Sequence, residues 1–151
     1  QIAALYAAIA NGGWLMTPSL VDRIETHDGR VVFENEPRRR NTEPVLEALD
    51  RERIHRGLVG VVNNAAGTAY DERLEGILVA GKTGTAQVGR TRANDDEAPI
   101  IEGWDTTQDH AWFAAYAPAQ RPKIVAVAIV VHGGVGADAA AALAISPPAS
   151  G

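Results

Sequence analysis

The chain predicts an α+β fold, an antiparallel sheet flanked by helices. Two observations carry this. The elements legible in the sequence run helix, hairpin, helix, three strands, helix. The two most β-prone stretches, His110–Tyr116 and Lys123–Val131, are joined only by Ala117-Pro-Ala-Gln-Arg-Pro122. Adjacent strands with connections that short favour antiparallel pairing over a doubly wound parallel sheet.

Taken in order, Gln1 to Ala10 is rich in Ala, Leu and Ile, and Asn11-Gly12-Gly13 supplies a C-terminal stop. Trp14 to Glu25 reads as extended, with Thr17 held out of the α region by Pro18. His27-Asp28-Gly29-Arg30 lies between Val21/Ile24 and Val31-Val32-Phe33, a hairpin signal carried by Asp-Gly. Glu34 to Asn41, with Pro37 and Arg38-Arg39-Arg40, reads as a solvated loop. Asp50 is the expected N-cap of a helix from Arg51 to Val62, in which Ile54, Leu58, Val61 and Val62 form one apolar stripe. Asn63-Asn64 and Gly67 end it. Leu74 to Val88 is a strand with a glycine-rich centre, and the polar, acidic Thr91 to Gln108 is a loop. Gly133, Gly134 and Gly136 break the last strand, Ala137 to Ile145 favours helix, and residues 146–151 form a tail. Residues 1–145 are therefore expected to be one structural portion.

Composition narrows the function. The 151 residues are 46% hydrophobic and 22% charged, enough to bury a core in one domain or part of one. Lys plus Arg number 14 against 19 Asp plus Glu, a net charge of −5, which argues against a nucleic-acid partner. With no cysteine, thiolate metal sites and Cys nucleophiles are excluded. The longest apolar run, Ile124 to Val131, falls far short of the ~20 residues of a membrane helix. The chain opens directly in a helical pattern with no starting Met, which reads as an internal fragment whose export or anchoring signal lies upstream. His27, His55, His110 and His132 show no metal-ligand spacing, and no cofactor is expected.

Chemistry concentrates in Gly76-Ile-Leu-Val-Ala-Gly81-Lys82-Thr83-Gly84-Thr85-Ala86-Gln87. Gly76 to Thr83 matches the phosphate-binding pattern G-x-x-x-x-G-K-[ST]. Its surroundings do not suit it: Asp71-Glu-Arg-Leu-Glu75 is no buried strand, and Gly84 and Gly89 are poor helix residues. The alternative is a strand bearing the Lys-Thr-Gly element. Strand alternation puts Thr83 and Thr85 on one side and Lys82 on the other. Gly84 leaves room for a ligand backbone beside the strand. The Thr83 and Thr85 hydroxyls could then bind a substrate carboxylate, the Thr85 N–H could donate to an oxyanion, and Lys82 would supply positive potential. Gln87, on the same face as Thr85, could line the groove. His110 and Trp112 read as packing residues, and Asp95-Asp96-Glu97 as a solvated loop.

Gly67-Thr68-Ala69, Gly81-Lys-Thr-Gly-Thr-Ala-Gln-Val88, His110-Ala-Trp-Phe-Ala-Ala-Tyr-Ala-Pro118 and His132-Gly-Gly134 occur in an order that resembles the C-terminal half of class B penicillin-binding proteins, and most of all the elongation-type peptidoglycan D,D-transpeptidase. The resemblance implies a partial transpeptidase fold of the serine β-lactamase-like kind. It implies an acyl-serine enzyme on the periplasmic side of the bacterial inner membrane, anchored by a segment upstream of this chain. The implied ligands are the D-Ala-D-Ala stem peptide of peptidoglycan and β-lactam antibiotics, and the implied partner is a polytopic glycan-polymerising glycosyltransferase. Lys82, Thr83, Gly84 and Thr85 match the catalytic element. Two departures stand out. None of Ser19, Ser146 and Ser150 has a lysine three residues on, so S-x-x-K is missing, as is S-x-N, and at the end Ala144-Ile-Ser-Pro-Pro148 replaces the expected continuation of the terminal helix. Without that serine no acyl-enzyme forms, and the isolated chain is expected to be inactive. A β-lactamase-like hydrolase and a non-catalytic penicillin-recognising sensor or scaffold remain the alternatives at this point.

Overall fold

The computed structural model describes residues 1–88, 107–136 and 140–145. In chain order the elements are α1 (Ile2–Ala10), β1 (Arg23–Glu25), β2 (Val31–Glu34), α2 (Ala48–Asn63), β3 (Ala80–Ala86), β4 (His110–Ala117), β5 (Ile124–Val130) and α3 (Ala142–Ile145). The strands form a β1-β2 hairpin and a three-stranded antiparallel sheet in the order β3-β4-β5. The expected fold class and order of elements are those observed.

The central sheet is apolar on both faces because β4 contributes Ala111, Phe113 and Ala115 to one face and Tyr116 to the other, all nearly or fully buried. Ala140, Ala141 and Ile145 cover the Phe113 face. Tyr6, Ile9 and Ala10 of α1 cover the Tyr116 face. Helix α2 packs against β3 and serves both sides: Val62 joins the Phe113 cluster and Leu58 the Tyr116 cluster. Asn63 ties helix to sheet directly, its amide donating to the carbonyls of Val59 and Val79, both at 2.7 Å.

Several boundaries move. Helix α2 begins two residues before Asp50, with Glu47 in extended geometry at the cap position and no side-chain cap. Ala48 and Leu49 extend a helix readily, and Asp50 instead sits in the first turn, paired with Arg53 at 3.2 Å, where a carboxylate suits the helix dipole. Of the expected stripe, Ile54 remains 37% exposed. The strand expected from Leu74 is regular only from Ala80, because the chain turns through Gly76 at φ 74. The extended run after Trp14 pairs only at Met16↔Arg39 and again from Arg23; between them Pro18 has no N–H to give a ladder. The Asp28-Gly29 turn is as read, with Gly29 at φ 83 and the Thr26 N–H on the Arg30 carbonyl at 2.9 Å. The loop expected over Thr91–Gln108 falls almost wholly outside the described residues, as do the tail and the start of the last helix. Among the described residues, no helix is long and apolar enough to cross a membrane.

Candidate active site

Strand β3 is an edge of the described sheet, and its register fixes what it presents outward. Gly84 pairs with Trp112, Thr83 with Phe113 and Thr85 with Ala111. A Cβ added to Gly136 would lie 2.2 Å from the Gly84 carbonyl oxygen and 2.8 Å from that of Trp112. Two carbonyls that close to one point belong to a pair exchanging hydrogen bonds across the ladder. Alternation then turns the N–H and C=O groups of Thr83 and Thr85 away from β4, to the open edge. That is the orientation an oxyanion donor at Thr85 and an added ligand strand both require. The segment is extended throughout, with no helix beginning at Lys82, which removes the phosphate-loop reading.

The sequence places Lys82 opposite Thr83 and Thr85, and its Cβ obeys that alternation. The ammonium does not stay there. It curls back to the edge, donating to the Thr83 carbonyl at 2.8 Å and lying 3.3 Å from the Thr83 hydroxyl. Four methylenes span the strand thickness, so charge and hydroxyls converge despite the alternation. Lys82 and Thr85 are exposed, and Thr83 and Gly84 half-buried. At Gly84 a Cβ would meet only the Cβ of Trp112, at 3.4 Å. Gln87 lies just past the end of β3 and is exposed. The strand's exit is pinned there by the Asp109 carboxylate, which accepts the Val88 N–H at 3.1 Å. A cavity of about 330 Å³ opens beside Thr85, lined by Thr107, Gln108, Asp109, Gly134 and Val135.

Thr68 is a member of the site that residue-by-residue reading missed. Its hydroxyl lies 3.0 Å from that of Thr83. The loop after α2 folds back on the helix end to deliver it: the Ala69 N–H donates to the Val61 carbonyl at 3.1 Å. Gly67 passes so close that a Cβ would sit 2.2 Å from that same carbonyl oxygen, so only glycine fits. The Gly67-Thr68-Ala69 run was the available signal, although its partner lies 15 residues further on.

A cavity of about 510 Å³ lies elsewhere, among Ile9, Arg51, His55, Tyr116 and Gln120. There the Tyr116 hydroxyl meets His55 Nδ1 at 2.8 Å. Burial first, and nearby Tyr6 second, push the Tyr116 phenol up to about 12. Among the described residues, no group of three or more His, Asp or Glu side chains is placed to hold a metal ion.

Residues 1–148 match the penicillin binding protein transpeptidase domain. The chain belongs to the penicillin-binding protein transpeptidase family. It is 35% identical to the peptidoglycan D,D-transpeptidase MrdA of Haemophilus influenzae over 95% of this chain and 22% of that protein. The D,D-transpeptidase domain of a peptidoglycan glycosyltransferase from Eggerthella lenta superposes with a TM-score of 0.66 at 32% identity, covering 93% of this chain and 30% of that one. Penicillin-binding protein A of M. tuberculosis, solved as an imipenem acyl-enzyme complex, gives 0.67 at 29% identity over 95% of this chain and 27% of that one. The chain thus spans about a quarter of the curated relative and of these solved structures. The partial transpeptidase fold that the resemblance implied is the fold observed.

Proposed function

We propose that this chain is the C-terminal portion of an elongation-type penicillin-binding D,D-transpeptidase. Residues 1–145 supply part of its catalytic domain. A serine outside this chain attacks the carbonyl of the penultimate D-Ala of a stem peptide. The C–N bond to the terminal D-Ala breaks, and that D-Ala leaves carrying the proton. The amine of a neighbouring stem peptide then attacks the ester, forming the cross-link and returning the proton to serine. Lys82, Thr83 and Thr85 hold the substrate carboxylate, Gly84 admits the peptide backbone, Gln87 lines the groove, and the Thr85 N–H donates to the developing oxyanion. β-Lactams would be trapped as acyl-enzymes by the same groups. The enzyme would work on the periplasmic side of the inner membrane, anchored through another segment, beside a polytopic glycan-polymerising glycosyltransferase.

The observation that carries this reading is the convergence of the Lys82 ammonium and the Thr68 hydroxyl on Thr83 at the outward edge of β3. Support comes also from the family match and from the M. tuberculosis relative's acyl-enzyme. The test is labelling of the full-length protein by a fluorescent penicillin. Lys82→Ala removes a charge-assisted contact and is expected to slow acylation about 10- to 100-fold. An unchanged rate would refute the assignment of Lys82. Rapid turnover of the β-lactam in place of a lasting adduct would indicate a hydrolase instead.

A further inference from the structure

Two histidines hold each other at the Ala86 end of the site strand. His110 pairs with Ala86 across the β3–β4 ladder, and its Nδ1 lies 2.9 Å from the backbone nitrogen of His132. A backbone N–H can only donate, so this Nδ1 carries a lone pair and His110 is unprotonated there. His132 Nδ1 lies 2.8 Å from the Gln108 carbonyl, which can only accept, so that nitrogen carries a hydrogen. The rings meet edge to face at a centroid distance of 4.7 Å.

His132 also stands at φ 54, in the left-handed region that disfavours any residue with a Cβ. A strained residue persists where its surroundings hold it, and the bond from its own N–H to His110 is such a hold. From His132 the chain turns into the wall of the cavity beside Thr85. Gly134 and Val135 line that cavity, the Gly134 N–H donates to the Asp109 carbonyl at 2.9 Å, and Gly136 rests on the Gly84 and Trp112 carbonyls.

We propose that His110 is a positioning residue for acyl transfer. Unprotonated at Nδ1, it fixes His132 and the 132–136 turn as the wall of the cavity beside Thr85. Protonation sets one N–H against another and releases the wall. This rests on the transpeptidase reading of β3. Among the described residues, the titratable groups at His110 are His132, at the end of β5, and Asp109, its neighbour in sequence. Opposite on β3 stands Ala86, which has no charge. Histidine is the side chain whose ordinary titration falls in the range that matters for an enzyme near neutrality.

The experiment compares acylation by a fluorescent penicillin in full-length wild type, His110→Asn and His110→Leu. Asparagine places an oxygen where Nδ1 stands and does not titrate. It is expected to match wild type within about twofold near pH 8 and to exceed it by roughly five- to thirtyfold near pH 5, the factor one ordinary interaction controls. Taking the ratio cancels the pH dependence of the serine chemistry. Leucine is expected to be slow at every pH, and thermal melting identifies a Leu variant that has failed to fold. In that event the Asn ratio decides alone. A ratio flat with pH, or a folded Leu variant as fast as wild type, overturns the role of His110. Wild type that takes no label sinks the transpeptidase reading and this proposal with it.

Discussion

Gly136 offers the sharpest test of the site's construction. Replacing it by alanine puts a methyl carbon 2.2 Å from the Gly84 carbonyl oxygen and 2.8 Å from that of Trp112. Carbon–oxygen contacts ordinarily settle at about 3.3 Å or more, so one side must move by roughly 1 Å. Both obstacles are backbone, and neither can rotate aside. Overpacking of this kind costs about 1–3 kcal/mol, and a 1 Å displacement at reacting geometry costs about 100-fold in rate. Gly136→Ala in the full-length protein is therefore expected to melt a few degrees lower and to lose most of its penicillin acylation rate. Gly57→Ala is the control: it lies within α2 with nothing within 4 Å of the added Cβ, and should stabilise by roughly 0.5–1 kcal/mol without altering acylation. Chemical denaturation and time-resolved labelling measure both. If Gly136→Ala acylates within about twofold of wild type, the turn does not rest on the β3–β4 ladder, and the outward orientation deduced for Thr83 and Thr85 loses its support.

Two further outcomes follow from the same structure. Tyr116 is 2% exposed and its phenol is raised from 10.0 to about 12, so its contribution to stability is fully present below pH 10 and is lost as pH climbs from there towards 12. Tyr116→Phe should cost about 1 kcal/mol near neutrality, through the lost His55 bond, and should flatten the loss between those pH values, read by denaturation at each pH; an unchanged alkaline slope refutes the assignment. The 151 residues expressed alone, lacking S-x-x-K, should take no covalent label from a fluorescent penicillin and show no cooperative melting as a soluble monomer. Either a labelled band or a sharp monomeric transition would count against this.

What was legible in the sequence follows the range of the interaction involved. The Asp28-Gly29 hairpin, the pairing of β4 with β5 and the shared face of Thr83 and Thr85 are set by near neighbours or by strand period, and all could be read directly. Thr68 could not be assigned, because its role depends on a loop doubling back over α2. Nor could the path of Lys82, since the period locates a Cβ and not the end of a long flexible chain. His110 read as packing because its partner, the N–H of His132, is backbone and leaves no mark in the sequence. The early start of β3 failed at Gly76, where an apolar pattern continues past a turn that only the positive φ reveals.

The Lys82 ammonium rests on the carbonyl of Thr83, an acceptor on the open margin of β3 where a guest chain would dock. The Lys82 cation thus occupies an acceptor that an added strand would also use. A neutral extended peptide arriving there would have to evict the cation and leave it stranded, whereas one ending in a free carboxylate offers it a better resting place. On the proposed reading of β3, this contact would favour chain termini over chain interiors.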